Sequence, residues 1–176
     1  MALKVFSIPA LPRVNNGAAR MLPVATTLLA AVISVLPLQI PGYAAATPVF
    51  TLMAAYHWTI YRPDLLPPVA LFAIGLTEDL LAGSPIGLNA LMLLLSRIAV
   101  LSHRRYFVNR MFPFVWSGFT LLAALAMLGL WAANCLLDLS FLDFRIAVIR
   151  AALTIAIFPL GSFLLGRAQR AVMGTG

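Results

Sequence analysis

Between Arg110 and Asp138 the chain carries no charged residue, and other long apolar runs are arranged around that one. A run of this length needs either a large soluble core or lipid to bury it. Composition decides between them. Of 176 residues, 62% are apolar and 10% charged. A soluble domain of this size must keep a broad polar surface, and five acids with twelve bases cannot cover it. Disorder is excluded too, because it requires low hydrophobicity. The length suits one compact bundle. Cys135 is the single cysteine, so neither a disulfide framework nor a thiolate metal cluster is expected.

Windows of about 20 helical residues divide the chain into six candidate spans: 18–40, 48–61, 66–82, 86–101, 114–137 and 146–165. Pro41-Gly42, Arg62-Pro63-Asp64 with Pro67-Pro68, and Gly83-Ser84-Pro85 with Gly87 separate the first four. These clusters cannot continue a helix cheaply. The short joins make consecutive spans antiparallel neighbours. The reading is an all-α, multi-pass transmembrane bundle of about six helices. Residues 1–17 form a mobile cytoplasmic tail, 18–170 a single six-helix transmembrane domain, and 171–176 a flexible C-terminal end. The first three and last three spans differ in length and polarity, so an inverted-repeat transporter is not suggested.

The net charge of +7 follows this topology. Lys4, Arg13, Arg20, Arg62, Arg104, Arg105, Arg110, Arg167 and Arg170 all fall on one face when the spans alternate. The opposite face offers Arg145 and Arg150 beside Asp138 and Asp143. A cytoplasmic excess of Lys and Arg places both termini inside. It also accounts for the basicity without a nucleic-acid partner, the cations serving as topology signals and anionic-lipid contacts. A basic start followed by Ala44-Ala45-Ala46 resembles a secretory signal. However, the apolar stretch from Met21 exceeds the usual core of about 7–15 residues and is interrupted by Pro37 and Pro41.

Charges inside a span are rare, because placing one at the bilayer centre costs about 2.5–3.5 kcal/mol or more. Glu78, Asp79, Arg97 and Arg150 are such charges. At 1.5 Å per residue, Asp79 lies roughly 6 Å and Arg150 about 7 Å inside the outer boundary. A pair of Arg150 with Asp79 or Glu78 would tie the third span to the sixth. Arg97, about 16 Å deep by the same rise, leans toward the outer leaflet and is within reach of Glu78. Adjacent Glu78 and Asp79 point about 100° apart on a helix and need different partners. These charges read first as internal clamps, with a small-molecule pocket or a partner helix as alternatives.

His57, Trp58, Tyr56 and Tyr61 read as an interfacial aromatic belt. Asn89 is placed to cap or cross-link helices, and Pro159 to kink the sixth span with Gly161 easing the bend. Ala25, Ala30, Ala31 and Ser34, and Ala123, Ala124 and Ala126, offer small faces for helix pairing. Cys135 sits near the outer end and His57 and His103 near the inner one, which separates any Cys–His pair. No metal, cofactor or catalytic site is expected.

From Gly75 the chain reads Gly-Leu-Thr-Glu-Asp79-Leu-Leu-Ala-Gly83-Ser-Pro85-Ile-Gly87-Leu-Asn89. This run resembles the signature of the rod shape-determining MreD family: Gly-apolar-x-x-Asp-Leu-apolar-x-Gly-x-x-apolar-Gly. Pro159 and the basic end from Arg167 to Arg170 resemble the family's last helix and tail. The resemblance implies a non-enzymatic scaffold in the bacterial inner membrane that binds MreC and helps position or regulate peptidoglycan synthesis. MreB, a RodA-type glycosyltransferase and a penicillin-binding transpeptidase are implied as indirect partners. It also implies a fold like the substrate-binding subunits of vitamin transporters, and hence the alternative of a pocket near Glu78, Asp79 and Arg150. Physically, Gly83 and Gly87 permit a tight outer turn. Asp79 is placed to accept N–H bonds from that turn or from the start of the fourth span.

Overall fold

The computed structural model describes residues 17–35, 47–107, 112–138 and 143–173. These form six helices and no strand among the described residues: α1 (Gly17–Val35), α2 (Phe50–Tyr61), α3 (Pro68–Ala82), α4 (Leu88–Phe107), α5 (Phe112–Asp138) and α6 (Phe144–Met173). The expected break at Pro41-Gly42, the Ala44–Ala46 stretch and most of the N-terminal tail lie outside the described residues. So do 108–111, 139–142 and 174–176.

The helix that organises the bundle is the shortest. α2 is apolar on every side, and a helix of that kind belongs in an interior. Every residue from Thr51 to Ile60 is buried. Its 12 residues span about 18 Å, short of a hydrocarbon core of about 30 Å. α1, α4, α5 and α6 all pack on it. The aromatic-belt reading of its inner end is therefore corrected. Trp58 is fully buried and Tyr56 and His57 nearly so, leaving only Tyr61 partly exposed. The signal misled because aromatic residues with one polar handle suit a core as well as an interface, provided the handle is bonded. Trp58 Nε1 donates to Thr26 Oγ1 at 2.9 Å, and Tyr56 Oη donates to the Val115 carbonyl at 2.9 Å. Tyr56 also packs edge-on against Phe119 and Phe158, whose rings stack 4.0 Å apart. That cluster joins α2, α5 and α6.

The outer helices show the opposite pattern. The segments Phe112–Leu136 and Phe144–Arg170 are each long and apolar enough to cross a membrane, and α1 contains a shorter apolar stretch, Met21–Val35. Leu121, Leu125, Leu160 and Leu164 on these helices are exposed. Large contiguous apolar surface of this sort calls for lipid or a partner. α6 remains one helix across Pro159, with Ser162 Oγ donating to the Pro159 carbonyl at 3.0 Å. It also outlasts its expected end at Leu165, so Arg167 and Arg170 ride on helix. α4 likewise continues past Leu101, and Arg104 Nε donates to the Ile60 carbonyl at 2.7 Å.

These contacts fix the polarity of the bundle. The ends of α2, α4 and α6 meet, which gathers Arg62, Arg104 and Arg170 at one end. The starts of α2 and α6 meet the end of α3 at the other. Small residues were expected to present faces for an outside helix. Instead Ala31, Ser34, Ala123 and Ala126 are buried within the chain, where they let its own helices approach; Ala25 and Ala124 stay exposed.

Candidate functional site

The α3–α4 hairpin is built around one carboxylate. Asp79 is fully buried one turn before the end of α3. Its Oδ1 accepts from Ser84 Oγ at 2.9 Å, the Asn89 backbone N–H at 3.1 Å and Asn89 Nδ2 at 2.8 Å. Its Oδ2 accepts from the Gly87 N–H at 2.9 Å and, at the limit of 3.5 Å, from the Ala90 N–H. Two of these donors, the Asn89 and Ala90 N–H groups, lie in the first turn of α4, which an α-helix leaves without internal partners, and the Gly87 N–H lies just before it. A side chain from the preceding helix thus does the work of an N-cap. The backbone of Asp79 contributes at the same time: its carbonyl accepts from Gly83 and, at 3.2 Å, from Ser84, closing α3.

Each glycine of the motif then has a physical reason. Gly83 ends α3 with φ 65°, and Gly87 opens α4 with φ 91°, both left-handed positions that disfavour a side chain. Gly75 serves a different purpose that the spacing did not reveal. A Cβ there would lie 2.8 Å from the Ala90 backbone nitrogen and 3.0 Å from its Cβ, so its absence lets α3 and α4 cross closely. Pro85 adds a turn bond, with its carbonyl accepting from Leu88 N–H at 3.2 Å.

Beside the hairpin lies a second polar cluster, at the start of α2. Val49 offers no side-chain cap there, and the exposed donors are met by other helices. The Val49 N–H donates to Thr154 Oγ1 of α6 at 3.1 Å. The Phe50 and Thr51 N–H groups donate to Ser34 Oγ of α1 at 2.9 and 3.3 Å. Inside an apolar bundle such donors have no water to turn to, so the neighbouring hydroxyls are obligatory. In the sequence Ser34 reads only as part of a small face for helix pairing, and Thr154 was not singled out. The available signal was a lone hydroxyl residue on an otherwise apolar helix face.

Glu78 completes this cluster. Its carboxylate lies beside the Thr51 side chain and within reach of the Arg150 charge. It therefore sits at the positive end of the α2 dipole. Arg150 Nε in turn donates to the Thr47 carbonyl at 3.0 Å. Of the two pairings considered for Arg150, the structure brings Glu78 to it and engages Asp79 elsewhere. Arg97 does not reach Glu78. Its guanidinium turns to the opposite end, where Nη2 donates to the Pro63 carbonyl of the α2–α3 connection at 3.1 Å. A long cationic side chain travels toward the nearest free carbonyl rather than following its Cβ direction.

Arg150 borders a cavity of about 110 Å³ with Trp131, Asn134 and Asp143, and neither Glu78 nor Asp79 lines it. Among the described residues no cluster of three or more His, Cys, Asp or Glu is placed to hold a metal. What the arrangement does is mechanical: two buried acids fix two helix junctions at one end of the bundle.

The family model for the rod shape-determining protein MreD matches residues 18–166. The chain belongs to the MreD family. That match takes in the Asp79 hairpin, Glu78, Arg97 and Arg150. MreD is a membrane protein family that acts in determining rod shape, in keeping with the two membrane-length helices. No curated protein and no solved structure matches the chain.

Proposed function

We propose that this chain is a multi-pass scaffold of the bacterial cytoplasmic membrane, with both termini cytoplasmic, that binds MreC and so helps position or regulate peptidoglycan synthesis during elongation. MreB, a RodA-type glycosyltransferase and a penicillin-binding transpeptidase are its indirect partners in this reading. It acts by holding rather than by reacting.

The observation that carries the proposal is the use to which the family motif is put. Gly75, Asp79, Gly83, Gly87 and Asn89 are all spent on locking two helices at a fixed angle and turn. A locked hairpin is a rigid docking surface, and rigidity lowers the ordering cost of binding. An apolar side groove of about 370 Å³ between α1, α2 and α6, with Ala30, Ala54 and Gly161 among its lining, adds a place where a single partner helix fits closely.

The test is co-purification of MreC with this chain from membranes, comparing wild type with Asp79→Ala at matched expression. The expected result is a reduced MreC yield together with rounded cells when the variant is the only copy. Wild-type MreC yield with normal rods would refute it.

A further inference from the structure

A cavity of about 510 Å³ lies at the basic end of the bundle, between α2, the start of α5 and the last turns of α6. It is well away from the Asp79 hairpin. Its lining joins an apolar floor that includes Phe158 to a set of polar groups: His57, Tyr61, Ser162, Gln169 and Arg170. None of the lining residues is acidic.

His57 is the informative member. Its ring is nearly buried, 4.7 Å from the Tyr61 ring, and Gln169 of α6 lines the same cavity. Its Nε2 nevertheless has no hydrogen-bond partner. A buried polar atom in that condition is uncommon and asks for a ligand or a water. Arg170 is exposed beside it, and one turn earlier Arg167 rests over the Phe163 ring at 5.9 Å. Positive charge unopposed by any acid in the wall, above an apolar floor, matches an amphiphile with an anionic head. Basic crevices between membrane helices take phospholipid head groups on this chemistry, and mostly apolar walls with a few convergent polar groups are the usual form of a small-molecule site.

We infer that this cavity binds the phosphate-bearing head of an anionic membrane lipid. Arg170, Gln169 and the unpartnered His57 Nε2 meet the phosphate oxygens, and the Tyr61 and Ser162 hydroxyls meet the glycerol unit. The apolar floor receives the first methylenes of the chains. The inference concerns a different end of the molecule from the proposed scaffold hairpin and does not require MreC.

The experiment is native mass spectrometry of the purified full chain in detergent, after addition of dioleoyl phosphatidylglycerol, dioleoyl phosphatidylcholine or sn-glycerol 3-phosphate. Phosphatidylglycerol is expected to be retained about tenfold better than phosphatidylcholine: both present the phosphate, but choline sets a cation beside Arg170 and brings no head-group hydroxyl to Tyr61 and Ser162. Arg170→Gln removes the charge, and Ser162→Leu fills the cavity. Each is expected to abolish that preference, bringing phosphatidylglycerol retention down to that of phosphatidylcholine on the same variant. Arg145→Gln, at the opposite end, is expected to leave the preference intact. Thermal unfolding of each variant confirms its fold, and exposed Arg170 keeps the test valid if Ser162→Leu is unstable. Equal retention of the two lipids, or a preference that survives Arg170→Gln, would overturn the inference. Glycerol phosphate binding as tightly as phosphatidylglycerol would overturn it in favour of a soluble phosphate compound.

Discussion

Replacing Asp79 with alanine removes the acceptor on which the α3–α4 junction depends. Two of its donors, the N–H groups of Gly87 and Asn89, are fixed by the backbone and cannot turn elsewhere. Ser84 Oγ and Asn89 Nδ2 have some recourse to each other, 3.3 Å apart, and to solvent at the exposed turn. A stranded donor costs about 1–3 kcal/mol when buried, and this site is part-buried on the turn side. Two stranded donors at the lower half of that range give a loss of about 3 kcal/mol. For a chain of this size that is a fall in Tm of roughly 6–12 °C. Asp79→Asn retains one oxygen but turns an NH₂ group toward N–H donors, so it is expected to lose about half as much. Thermal unfolding in detergent gives the first readout. Hydrogen exchange of residues 84–90 gives the second, and should accelerate more than exchange in α2. The reasoning fails if Asp79→Ala unfolds within about 2 °C of wild type, on the same scale, with exchange at 84–90 unchanged.

Three further outcomes follow from the geometry. Gly75→Ala should cost about 2–3 kcal/mol through overpacking against Ala90, more than Gly83→Ala, which meets open space and carries only the left-handed penalty of about 1–2 kcal/mol; paired melts rank them. Ser34→Ala should cost about 1–2 kcal/mol by stranding the Thr51 N–H and leaving the Phe50 N–H only the Pro48 carbonyl at 3.2 Å, and faster exchange at residues 50 and 51 would locate the effect. Glu78→Gln keeps a group for Thr51 but gives up the charge facing Arg150 and the α2 dipole. It should therefore be milder than Glu78→Leu, as thermal unfolding of the two would show.

Much of the hairpin was legible in the sequence, because local chemistry determines it. Glycines four residues apart after an aspartate leave few ways to turn between two apolar helices, and the carboxylate finds the nearest free N–H groups. The long outer helices were legible for a similar reason: their apolar length alone demands a helix. α2 was misjudged because burial on all sides is a tertiary fact. A twelve-residue, mostly apolar helix holding Trp58 and Tyr61 looks the same whether it lines an interface or fills a core. Arg97 was misjudged because its partner, the Pro63 carbonyl, is a backbone group that no side-chain pattern announces. Thr154 escaped notice, and Ser34 was read only as a small packing residue, because their donors become orphans only once α2 begins inside the bundle.

The account rests on the hairpin and the basic end lying on opposite sides of a membrane. In a Cys135→Ser background, Ile86→Cys places a thiol on the exposed hairpin and Arg167→Cys places one on the exposed last turns of α6. Labelling with a membrane-impermeant maleimide compares intact spheroplasts with inside-out vesicles. The expected result is modification of position 86 only from the periplasmic side and of position 167 only from the cytoplasmic side. Modification of both positions from the same side would contradict the account.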